Sequence, residues 1–305
     1  MIRGQFALLQ RELWEHRSIY VAPAVIALLV ILTTLTAQVS VDGTHLDLGI
    51  IGASNFPENA RAGALTVAML GMSITFFFAM GILAAFYSLD SLYAERRDRS
   101  ILFWRSIPST DFETVLSKLL TATVVIPLVT FAMIVVTHLV VLLTTSVWLA
   151  IRGGNAFHLI WSSAPFLDVW AATLVFLLAL PLWLAPFTGW FLLVSAFTKR
   201  SPFLTAALPI AILPLLEKMI FDSGVFAEAL FVRSVKMPLF IDLSTMERIF
   251  DDVDSLASIG NAELSLLGLM DIGGFLGNPG LWLGLVVCGL FTAAAIYVRR
   301  YRDDS

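Results

Sequence analysis

An all-α membrane protein of six transmembrane helices is the fold class this sequence predicts, and three observations carry the prediction. Hydrophobic residues are 58% of the 305 and charged residues only 14%, against roughly 45–50% and 25% in soluble domains. Six apolar runs, at 19–37, 64–89, 119–150, 169–197, 203–221 and 280–298, are each long enough to cross about 30 Å of hydrocarbon at about 1.5 Å per residue. Lysines and arginines collect at alternate ends of those runs, which gives the chain a consistent orientation. The whole of 1–305 reads as one transmembrane domain. Its non-spanning parts are 1–17, a charged loop over 90–118 and a long mixed segment over 222–279.

The first of these parts is an amphipathic helix. Ile2, Phe6, Leu9 and Leu13 fall on one face, with Arg11 and Glu15 opposite, so the helix is expected to lie in the interface plane. The run at 19–37 reads as an uncleaved span rather than a signal peptide, because the charged region before it is too long and the run exceeds the usual 7–15 residues or so. Prolines punctuate the later spans: Pro127, Pro181, Pro186, Pro209 and Pro214. Each removes a backbone donor and invites a kink that neighbouring helices repair. Kinked spans can line a pathway, and Phe77, His138, Pro181 and Pro186 are its candidate residues. In the sixth run Gly280 and Gly284 stand at GxxxG spacing with Gly289 beyond, a pattern that permits close helix packing. The single cysteine, Cys288, sits among apolar neighbours and reads as a packed thiol. With the N-terminus inside, the cytoplasmic side holds Arg3, Arg11, Arg17, Arg96, Arg97, Arg99, Arg105, Lys118, Lys199, Arg200, Arg299, Arg300 and Arg302, while the short outer loops hold only Arg61 and Arg152. Both termini are therefore expected in the cytoplasm.

The stretch 90–118 is where the chemistry concentrates. Helical chemistry runs from Tyr93 to Phe103: Glu95 and Arg99 stand at i, i+4, and Leu92, Ile101 and Leu102 supply apolar anchors. Pro108 ends that helix. Thr110-Asp111-Phe112-Glu113 is a capping box that starts a second helix, continuing through Lys118 into the third span. Ile101, Leu102, Phe103 and Trp104 are costly to leave exposed in a loop without a partner.

Other functions lack their residues. Ion-coupled carriers keep ionisable groups inside spans, and here His138 is the one of middling depth. His16, His45, His138 and His158 show no metal-ligand spacing, and no GxSxG nucleophile motif occurs. No P-loop is present either, so energy for any transport must come from another chain.

In order, Glu95-Arg96, Ile101-Leu102, Ser106-Ile107-Pro108 and Lys118, together with the six-span layout and the amphipathic start, resemble the ABC-2 type permeases, membrane subunits of ATP-binding-cassette exporters. The sequence departs from the family pattern at its Gly-Thr position, where Arg99-Ser100 stand. The resemblance implies a cytoplasmic coupling helix that docks on a separate ATPase subunit, involving Glu95, Arg96, Arg99, Ile101, Leu102, Trp104, Pro108, Thr110 and Glu113, with the interface helix (Phe6, Leu9, Leu13) flanking it. It also implies short extracytoplasmic helices within 222–279 before the last span, a second permease copy forming a homodimer, and a bacterial inner membrane as the location. ATP and Mg would be held by the partner, with no cofactor, metal, catalytic residue or nucleic acid in this chain. The cargo would be an amphiphilic drug, peptide, lipid or glycan. A non-transporting scaffold or sensor, binding a ligand through 222–279, is the alternative.

Overall fold

The computed structural model describes residues 2–40, 58–98, 110–239 and 265–301. The expectations for Arg99, Ile101, Leu102, Trp104 and Pro108 lie outside the described residues, as does the side chain of Phe6. Regular structure among the described residues is helical. Six helices are long and apolar enough to cross a membrane: Ser18–Ala37, Arg61–Arg97, Asp111–Ile151, Phe166–Trp183, Pro202–Phe221 and Pro279–Tyr301.

Helix α1 (Ile2–Glu15) is followed after a two-residue turn by α2 (Ser18–Ser40). Helix α3 (Glu58–Arg97) is continuous over 40 residues, about 60 Å and twice the hydrocarbon thickness. The separate helix expected to open at Tyr93 is thus corrected: Tyr93–Arg97 are the last turns of α3. No Gly or Pro stands between Ile82 and Arg97, and the Ser88 hydroxyl, the polar group best able to compete with the backbone there, bonds back to the Ala84 carbonyl at 2.7 Å.

Helix α4 (Asp111–Leu120) passes through a π-helical turn, Thr121–Val125, into α5 (Ile126–Ile151). The wide turn answers Pro127, which lacks an N–H and whose ring crowds the carbonyl four residues back. The fourth apolar run is two helices rather than one, α6 (Phe166–Trp183) and α7 (Ala185–Phe197), parted at Leu184 with φ −84° and ψ 5°. Pro186 decides this break. It occupies the first turn of α7, where its missing N–H is no loss, whereas inside a continuous helix it would crowd the Leu182 carbonyl.

Helix α8 (Pro202–Phe221) ends at Asp222, whose φ of 47° is left-handed. Then come α9 (Val225–Val235), the short α10 (Ile272–Gly277) and α11 (Pro279–Tyr301). The core lies between α2, α3, α5 and α6, where Ile19, Phe76, Ile126, Ile134 and Leu177 are almost fully buried. The most extensive helix pair is α7 with α11. Gly189 makes it possible, since a Cβ there would come within 3.0 Å of the Cys288 Cα and carbonyl oxygen. That differs from the expected GxxxG seam: Gly289 faces open space, and a Cβ at Gly284 would overlap the Arg233 guanidinium.

Residues 265–281 fold back onto the bundle. Asp168, in the first turn of α6, accepts from the backbone amides of Leu266 (2.6 Å) and Leu267 (3.3 Å) and from the Ser265 hydroxyl. Leu239, Phe275 and Leu281 pack on Ala179 and Trp183 of α6.

Candidate functional site

One end of the bundle carries a buried network of charges, and α1 sets its register. Leu9, Glu12, Leu13 and His16 share a face at i, i+3, i+4 and i+7. Leu13 packs on the core, and Glu12 goes in beside it with 0% of its surface exposed. The Glu12 carboxylate accepts from Lys118 Nζ at 3.0 Å and from the Tyr87 hydroxyl at 2.6 Å. Lys118, equally buried, also lies 3.0 Å from Glu95 Oε1. Glu95 then accepts from Arg11 at 2.8 Å and from Arg299 at 2.6 Å, and Arg299 reaches on to Asp111 at 2.9 Å.

The lysine arrives there because α4 starts at a fixed point. Thr110 Oγ1 accepts from the Glu113 amide at 3.2 Å, and the Thr110 amide donates to the Glu113 carboxylate at 3.0 Å. The capping box read from the sequence is formed in full. Counting from it, Asp111, Thr114, Val115 and Lys118 fall on one inward face.

Four carboxylates (Glu12, Glu15, Glu95, Asp111) meet three cations (Arg11, Lys118, Arg299) in this network. Taking such ions out of water costs several kcal/mol each, and mutual pairing returns it only where partners are complete. The hub therefore contributes registry more than net stability. It fixes the angular positions of α1, α3, α4 and α11 against one another, on both sides of the loop between Asp98 and Thr110.

Two of the expected docking residues are engaged within the chain. Glu95 is the centre of the hub, 5% exposed. Arg96 Nη2 donates to the carbonyls of Ser195 (2.6 Å) and Thr198 (2.8 Å), capping the C-terminus of α7 with a cation. Phe112, by contrast, is 54% exposed next to the capping box. Sequence reasoning placed Arg11 on a solvent face, read Lys118 and Arg299 as span-end charges, and passed over Glu12 and Tyr87. A signal for Glu12 was available: an acid within the stripe of Leu9 and Leu13 must find a cation or stay out of the interface.

His16 packs edge-on against Tyr87, centroids 4.9 Å apart. Burial pushes its pKa below the ordinary 6.5, against the pull of Glu12. Since the folded value lies below the unfolded one, the neutral ring's stability is present above pH 6.5 and is lost as the pH falls through the folded pKa. Thermal unfolding of the purified protein is thus expected at lower temperature as the pH drops below 6.5, and less so in His16→Phe. Equal slopes for both proteins would remove His16 from the account. Glu12, Glu15 and His16 bring ligand atoms within 4.8 Å of one another, but Lys118 and Tyr87 already occupy Glu12 and Arg11 occupies Glu15.

The pathway candidates separate. His138 is fully buried and engaged at both ring nitrogens, with Nε2 3.0 Å from the Met69 carbonyl and Nδ1 3.3 Å from the Trp170 indole nitrogen. Since the indole N–H must donate, Nδ1 accepts and Nε2 carries the proton. Phe77 packs tilted against Phe176, ring centroids 4.7 Å apart, and Pro181 is buried inside α6. Pro186 alone of the four lines an apolar chamber between α7, α8, α9 and α11.

Compared with protein-family models, curated proteins and solved structures, the chain finds no match.

Proposed function

We propose that this chain is the permease subunit of an ATP-driven exporter of the ABC-2 type, working as a homodimer with a separate ATPase to move an amphiphilic molecule out across a bacterial inner membrane. The observation that supports this reading is the hub. Both flanks of the 99–109 loop enter one ion network, Glu95 from α3 and Asp111 and Lys118 from α4, together with the first and last helices. A push delivered to the loop would therefore reach four helices as one body. Interfaces of this kind switch between discrete arrangements rather than deform.

The test compares two substitutions in the complex with its ATPase. Leu102→Asp places a charge where apolar contact with the ATPase is expected, and should lose the ATPase during purification. Thr110→Ala removes the cap and should cost about 0.5–2 kcal/mol of local helix stability, keeping assembly and ATP hydrolysis while transport falls. Two variants that assemble and transport like the parent would end the coupling reading. A scaffold or sensor would show no cargo-stimulated ATP turnover.

Orientation is tested separately. In a Cys288→Ser background, a cysteine at Asp98 should react with an impermeant thiol reagent only from the cytoplasmic side of sealed vesicles. Labelling from outside would invert the assignment and place the loop beyond reach of a cytoplasmic ATPase.

A further inference from the structure

The chamber beside the α6–α7 break encloses about 580 Å³, within the range of small-molecule sites. Trp183, Phe187, Trp190, Leu213, Leu283 and Phe291 are among its walls. Leu213 and Leu283 are also exposed on the outside of the bundle, so an alkyl chain can enter sideways from the bilayer. Arg233 is the one charged residue among the described residues that line it.

The state of that arginine is unusual. Its guanidinium lies over the Trp183 ring at 4.1 Å, and Nη1 donates to the Gly280 carbonyl at 2.8 Å. The Trp183 indole holds the backbone in place by donating to the Arg233 carbonyl at 2.9 Å. Nη2 lies against Gly284, and neither it nor Nε has an acceptor among the described residues. A guanidinium grips two oxygens of a phosphate or carboxylate together, and a buried one short of acceptors is costly.

Trp183 is the last residue of the α6 span and Gly280 the second of α11, so Arg233 stands where two spans end, the level at which lipid headgroups lie. No carboxylate lines the chamber among the described residues. Gly284 completes the arrangement: any side chain there would occupy the place of the guanidinium.

We propose that this chamber binds one anionic phospholipid, its phosphate on the guanidinium of Arg233 and an acyl chain against Trp190, Leu213 and Leu283. The proposal does not rest on the ATPase reading. It holds for the chain without a transport partner.

The chain, purified in detergent, is mixed with equal amounts of phosphatidylglycerol and phosphatidylcholine of the same acyl chains, and native mass spectrometry counts the first retained lipid. Phosphatidylglycerol is expected to be preferred about tenfold, the ratio that about 1.4 kcal/mol supplies. Arg233→Gln should bring the ratio to near unity. Gly284→Ala keeps the arginine but displaces its guanidinium, and should lower the ratio in the same direction. Leu230→Trp, filling the chamber, should reduce retention of both lipids. Arg152→Gln, an exposed arginine beyond α5, should change nothing. If Arg233→Gln does not fold, Gly284→Ala and Leu230→Trp decide. No preference in the parent, preference surviving in Arg233→Gln or Gly284→Ala, or equal loss in Arg152→Gln overturns the proposal.

Discussion

Replacing Glu95 by alanine is expected to cost up to about 3–5 kcal/mol of stability, because Arg11, Lys118 and Arg299 all lose a carboxylate at one buried point and keep one each, Glu15, Glu12 and Asp111. The loss comes from under-paired charge more than from lost attraction. Neutralising a complete pair should therefore hurt less than halving it. Lys118→Met alone leaves Glu12 with the Tyr87 hydroxyl at 2.6 Å and the His16 ring at 3.8 Å, and Glu12→Gln alone leaves Lys118 on Glu95. The two substitutions together should be less damaging than the sum of the single ones, the sign of direct coupling in a double-mutant cycle. Denaturant unfolding in a fixed detergent micelle measures all four proteins. A Glu95→Ala variant within about 1 kcal/mol of the parent would show that water or rearrangement satisfies the cations, and the hub would lose its registry role. Additive single effects would place Glu12 and Lys118 in separate environments.

Gly189→Leu should act at the other main joint. A Cβ at this position already meets backbone atoms of Cys288 at 3.0 Å, and three further carbons have no space unless α7 and α11 part. Overpacking of this kind costs about 1–3 kcal/mol and occasionally more. Here the backbone itself blocks, so the upper end is expected. The displacement would also travel, because α11 carries Arg299 into the hub. Gly289→Leu is the internal comparison, since its Cβ meets nothing, and it should leave stability unchanged. Unfolding of the two variants side by side decides the matter: equal stability would mean that α7 and α11 can slide apart at little cost.

The sequence by itself determined the six apolar helices long enough to span, the helix at the start and the cap at Thr110. Each of these is a local property. Run length answers the thickness of hydrocarbon, the 3.6-residue period answers a boundary between apolar and polar surroundings, and a capping box closes within four residues. Pro186 and Pro181 were legible as local disturbances, though not as a full break at Leu184, because whether a helix bends or parts depends on what packs around it. The continuity of α3 through Tyr93 was missed since charge alone suggested a boundary, while backbone propensity there is helical.

What only the tertiary structure decided is which charges are inside. Glu12 reads as one acid among many until Lys118, 106 residues away, arrives at 3.0 Å, and Glu95 becomes a hub only when Arg299 comes from 204 residues away. Arg233 and Gly284 likewise have no sequence relation to each other. Burial turns a charge from a cheap surface group into one that must be matched, and matching is settled between distant segments. A local pattern can place an ion at the end of a helix; only the packing of four helices decides that it is out of water.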